Sequence, residues 1–228
     1  MKLAKICLLL FIPVFAFGQA KSPDCKCAAS IYAARKADTV FQLPGNVSIA
    51  SCGSEEKNII KGKVLFSEFV LSVCGSDKII KFWDAVTICN VKTLKGALLV
   101  ETLVNLPVGS NMKYKETVWT TERIYFSKGK LVRDSVINPH LPKYTASQVN
   151  YVLSRYKHTP NANNDVTIEL ADKLFISIVS GSPKAKEYLV NFRKKFTTLD
   201  GVYQEDYDSL MRMLQLWERS MVPPAGNL

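Results

Sequence analysis

Few residues in this chain could do imidazole chemistry. Two histidines occur, His140 and His158. Both lie close to prolines, in positions that read as solvated loop or helix end, so neither suggests a catalytic dyad. The His-Glu-x-x-His, Gly-x-Ser-x-Gly and phosphate-cradling glycine patterns are missing, which removes the most recognisable secreted hydrolases. What the sequence does offer is cysteines, a few carboxylates and paired lysines.

Cys25, Cys27, Cys52, Cys74 and Cys89 all fall in the first part of the chain. Cys25-Lys26-Cys27 could present two thiolates to a soft metal such as Cu(I). In an oxidising compartment the five read first as disulfide candidates, with Cys25 and Cys27 each bonded to a different distant cysteine. With Cys7 lost in a cleaved leader, these five remain, and an odd number leaves at least one unpaired in a monomer. The redox-active Cys-x-x-Cys spacing does not occur. No metal site and no cofactor is implied.

Glu68 and Asp84 interrupt apolar runs, and Glu101 and Glu122 lie on or beside expected strands. Burial of Glu68 or Asp84 would raise its pKa and make it a catalytic candidate for a carboxylate-based hydrolase. A charge on the wet face of an antiparallel sheet explains both equally simply.

Lys and Arg outnumber Asp and Glu between Lys57 and His140, within a chain of net charge +10. Many of these lysines sit in pairs at expected turns: Lys61 and Lys63, Lys92 and Lys95, Lys113 and Lys115, Lys128 and Lys130. Turns converging on one end of the sheet would make a cationic rim able to meet an anionic envelope polymer or lipid head groups. Scattered turns would only solvate the sheet. Nucleic acid is not an expected partner, because the chain lacks an aromatic-basic motif.

The elements that must position these groups begin after a leader. Residues 1–20 carry Lys2 and Lys5, an apolar stretch from Ile6 to Phe17, and the small residues Ala16, Gly18 and Ala20. This is the three-part pattern of a cleavable export signal, and it implies a periplasmic or extracellular protein. The apolar stretch is too short to span a bilayer, and no later segment approaches that length. Cys25 does not follow a small-residue box directly, which argues against lipidation.

A Cys-containing segment, 21–38, leads into an antiparallel β region at 39–142. Val64 to Cys74 reads as a central strand, and Gly75 to Lys78 as a turn. Ile80 to Ile88 then reads as one strand with Ile80, Phe82, Val86 and Ile88 on its core face. Ala97 to Leu106 and a hairpin around Ser127 to Lys130 complete a meander of about five to seven strands. A two-residue turn at Ser76-Asp77 would set Cys74 opposite Ile79 and Cys89 opposite Val64. Cys74 and Cys89 would then be too far apart to bond. The preferred pairing is Cys52 with Cys89, and Cys74 with Cys25 or Cys27.

Prolines at 139 and 142 end the strands, and 143–222 repeats at helical spacing. Thr145 with Gln148 forms a capping box for a first helix. A second runs from about Asp165 to Val179 and is stopped by Gly181. Ser182-Pro183 starts a third, carrying Leu189 and Phe192 to Phe196. The fourth carries Tyr207, Leu210, Leu214 and Trp217 as one stripe. Residues 223–228 read as a disordered tail. The fold class is therefore α+β, an antiparallel meander followed by a C-terminal four-helix region. The functional reading is a non-enzymatic envelope or secreted protein that binds an unknown protein or an anionic envelope polymer. A secreted hydrolase using Glu68 or Asp84, and an inhibitor or immunity protein, are the alternatives.

Overall fold

The computed structural model describes residues 25–28, 35–56, 65–161 and 164–221. The leader, the tail, Lys61, Lys63 and Val64 lie outside the described residues. Eight strands form one antiparallel sheet: β1 (Thr39–Leu43), β2 (Val47–Glu56), β3 (Leu65–Val73), β4 (Ile79–Trp83), β5 (Ile88–Leu94), β6 (Ala97–Leu106), β7 (Lys115–Ser127) and β8 (Lys130–Ile137). Their order is β1-β2-β3-β5-β6-β7-β8, with β4 paired to β3. Five helices follow: α1 (Ala146–His158), α2 (Asn164–Val179), α3 (Pro183–Val190), α4 (Phe192–Lys195) and α5 (Gly201–Met221). The chain is thus α+β, with a meander-like sheet ahead of its helices.

Three one-residue irregularities shape the sheet. Gly53 pairs with Phe69 and Ser54 with Ser67, so Glu68 is an extra residue, held at φ +33°. The bulge restores parity, so Phe66 and Phe69 both face inward. Gly53 is required there, because a Cβ on it would lie 2.2 Å from the Glu68 carbonyl oxygen. Ile80 is extra between the Leu71–Lys81 and Ser72–Ile79 pairs. Trp119 is extra between Thr102–Thr120 and Leu103–Val118.

The second bulge corrects the expected face of the Ile80 to Ile88 run. Ile80 and Trp83 are buried, whereas Phe82 is 48% exposed and Val86 92% exposed. The extra residue swaps the faces of everything after it. The run is also not one strand. Thr87 N–H donates to the Asp84 carbonyl at 3.2 Å, closing a turn that separates β4 from β5.

Arg133 Nη1 of β8 donates to the Ile80 carbonyl of β4 at 2.9 Å. Those two strands are well separated in the sheet order, so the sheet must curl back on itself into a partly closed barrel. Its interior holds Phe66, Phe69, Leu71, Trp83, Leu98 and Ile124, with Trp83 stacked on Phe69 at 4.7 Å between centroids.

The helices form as their caps dictate. Thr145 Oγ1 accepts from Gln148 N–H, and Gln148 Oε1 accepts from Thr145 N–H at 2.9 Å. Ser182 Oγ accepts from Ala185 N–H at 3.2 Å. The expected third helix breaks at Asn191, whose side chain donates to the Glu187 carbonyl at 2.9 Å, leaving the short α4 beyond it. The helical core also takes in Leu106 and Trp119 from the sheet, with Trp119 edge-on to Phe175 and 6.5 Å from Trp217. Among the described residues, no helix is long and apolar enough to cross a membrane.

Candidate functional site

Glu68 and Asp84 are both exposed, so the burial that would have made them catalytic candidates is not present. Glu68 occupies the bulge of β3, and Asp84 caps its own turn by accepting from Thr87 Oγ1 at 2.9 Å. His140 and His158 are exposed as well, the latter with Nδ1 2.8 Å from the Ser154 carbonyl.

The cysteines are bonded as Cys25–Cys74 and Cys27–Cys52. Cys74 is thus joined to one of its two expected partners. The Cys52–Cys89 pairing is wrong, because Cys89 remains a buried thiol. Cys52 on β2 lies opposite Val70 and Cys89 on β5 lies opposite Phe66, so β3 stands between them and they are four positions apart along it; Cys89 is also two positions from the expected Val64. Burial pushes the Cys89 thiol up to about 11, against the opposing hydrogen bond from Thr102. With Cys25 and Cys27 in disulfides, they are not a thiolate pair for a soft metal. Among the described residues, no group of three or more His, Cys, Asp or Glu is placed to hold a metal ion.

Among the described residues the most heavily used carboxylate is Glu122, 8% exposed on β7. It accepts from Lys81 Nζ of β4 at 2.7 Å and from Arg133 Nε of β8 at 2.7 Å. With the Arg133–Ile80 bond, this cluster bridges the seam between β4 and β8, each of which has an open edge in the sheet.

Beside that bridge the seam widens into a cleft of about 430 Å³ between the β3–β4 and β7–β8 turns. That size falls within the range of small-ligand sites. Val73, Phe126 and Leu131 line it, and they also pack against the barrel core. Ser76, Lys78 and Lys130 supply its polar lining. Neither lysine ammonium has an ion pair or hydrogen bond among the described residues. Asp77, in the same turn as Lys78, lines a different recess with Lys26 and Cys27. The lysine turns do not all converge: alternation along the meander puts Lys113 and Lys115 at the opposite end from the β5–β6 and β7–β8 turns. Lys92 is paired with Glu101 at 2.6 Å.

A second cavity, of about 310 Å³, lies between the end of β6, α2 and α5. Tyr114 Oη donates to Asp172 there at 2.6 Å, and Asp206 and Ser209 share the wall. Burial pushes the Asp172 carboxyl up to about 6, helped by the nearby Asp206 and Glu169 charges and opposed by the Tyr114 hydrogen bond. Tyr114 is raised by burial first and by Asp172 second. Sequence reasoning passed over this pair, whose members are 58 residues apart and sit in no motif. Compared with known protein families, with curated proteins and with solved structures, the chain matches none.

Proposed function

We propose that this is an exported, non-enzymatic protein that binds an anionic envelope component through its strand region. The observation that carries the reading is the seam cleft, whose lining brings together Lys78 and Lys130, neither with an ionic partner among the described residues. Two cations brought together at one cleft attract an anion more strongly than single lysines scattered over open surface, because their potentials add. Export is supported by the leader and is compatible with the two disulfides.

The test is retention of the mature protein on dextran sulfate against uncharged dextran, at about 0.15 M salt. The paired Lys78→Glu and Lys130→Glu variant should lose retention. A Lys113→Glu and Lys115→Glu control carries the same charge change at residues that do not line the cleft and should keep most of it. Equal losses in the two variants would reduce the effect to net charge and remove the cleft from the account.

A further inference from the structure

We infer that the seam cleft takes a single-chain anionic amphiphile, with a phosphate or carboxylate head between Lys78 and Lys130 and an alkyl chain along Val73, Phe126 and Leu131. This rests on the binding role proposed above and narrows it to a ligand class. Three features of the cleft carry it.

The first is polarity divided by depth. The lysines belong to exposed turn residues, whereas Val73, Phe126 and Leu131 are half-buried and continuous with the barrel core. A compact inorganic anion would satisfy the rim and leave the apolar lining wet. A chain laid on that lining would remove it from water, at about 25 cal/mol per Å². The second is the polar chemistry at the mouth. Ser76 Oγ accepts from Lys78 N–H at 3.0 Å, which leaves its own hydrogen to donate to a ligand oxygen. Two ammonium groups and a hydroxyl are all donors, a set suited to an oxyanion head.

The third is access. Gly129 is at φ +74° in the β7–β8 turn, and a Cβ there would meet nothing within 4 Å, so the mouth faces open space. Elsewhere along the seam the Glu122, Lys81 and Arg133 cluster ties β4, β7 and β8 together. A cleft of about 430 Å³ confined to two turns has room for a short, single chain but not for a length of polymer strand.

The experiment is calorimetric titration of the mature protein with hexyl, octyl and decyl phosphate below their micellar concentrations. Inorganic phosphate, decyl maltoside and phosphatidylglycerol vesicles are run alongside. If the chain is buried, affinity should rise by about fourfold for each methylene added, the equivalent of about 0.8 kcal/mol. Lys130→Gln should weaken decyl phosphate by about tenfold. Leu131→Ser should flatten the chain-length dependence while keeping the charge preference, and near-ultraviolet circular dichroism checks that both variants stay folded. Equal affinity for inorganic and decyl phosphate would overturn the amphiphile inference and leave the anion-binding role standing. Equal affinity for decyl maltoside would overturn both. Binding to vesicles but to no alkyl phosphate would overturn the inference in favour of a membrane surface. Failure to bind any anion would end both proposals.

Discussion

At the scale of single residues, the buried Glu122 and the half-buried Asp172 have contrasting neighbours. Glu122 is surrounded by cations, and its neutralisation leaves Lys81 and Arg133 without their shared partner. Both cations are partly exposed and can rehydrate, which limits the damage. Glu122→Gln should therefore cost about 1–3 kcal/mol in urea unfolding. Asp172 has no ion pair among the described residues, and burial raises its pKa from 3.8 to about 6. A carboxyl raised in the folded state binds its proton more tightly there than in the unfolded chain. Its contribution to stability is thus full below about pH 4 and is lost as pH climbs through about 6. Asp172→Asn should stabilise the protein at pH 7–8, by up to about 3 kcal/mol, and flatten the stability profile between pH 4 and 6. Chemical denaturation across that range reads both. Neither role was visible in the sequence. Glu122 stood there as one of several strand carboxylates, and Glu68 and Asp84 drew notice only because they broke apolar runs. An apolar run interrupted by a charge marks a bulge or turn here, and a bulge turns the charge outward.

Among the elements, helices were more legible than strands, for a physical reason. A helix is specified locally: Thr145 with Gln148, Ser182-Pro183 and the Tyr207 to Trp217 stripe each act within a few residues. A strand's facing depends on every residue before it, and one extra residue reverses it. That is why Trp83 was placed outside and Phe82 inside. The two-position slip of Cys89 comes instead from the Asp84 to Thr87 turn, which takes residues out of the ladder between β4 and β5. The cleft was half legible, since Lys130 stood out among the paired turn lysines and Lys78 only as the end of a turn, and the meeting of the two turns depends on sheet curl. The bulge at Glu68 should be the least tolerant element. Gly53→Ala would force a Cβ to within 2.5 Å of Phe69 Cα as well as against the Glu68 carbonyl. A loss above about 2 kcal/mol is expected, with thermal unfolding as the readout. In the helical core, Trp217 is 4% exposed against Trp119. Trp217→Ala should cost about 3–5 kcal/mol, measured by guanidinium unfolding.

For the molecule as a whole, the two disulfides fasten the stretch around Cys25 and Cys27 to β2 and to the end of β3. They close loops with sequence separations of 49 and 25. Cross-links of that span typically contribute about 3–4 kcal/mol each through the unfolded state, and less than the sum when the loops overlap. Non-reducing peptide mapping should recover Cys25–Cys74 and Cys27–Cys52. Cys89 should resist alkylation at pH 8 until the protein is denatured, since its thiol is both buried and raised to about 11. A Cys52–Cys89 linked peptide would show that the β3–β5 register described above is not the one the protein adopts. The same connectivity has a consequence for synthesis. As the chain emerges, Cys52 meets Cys25 and Cys27 before Cys74 has appeared, and the two candidates are separated only by Lys26. Vectorial oxidation therefore offers Cys52 two nearly equivalent partners, one of them wrong, and a Cys25–Cys52 bond leaves Cys27 to take Cys74. That swapped pair can be corrected only by thiol exchange, so the yield of native protein should depend on disulfide isomerase in the producing host and not on oxidant alone.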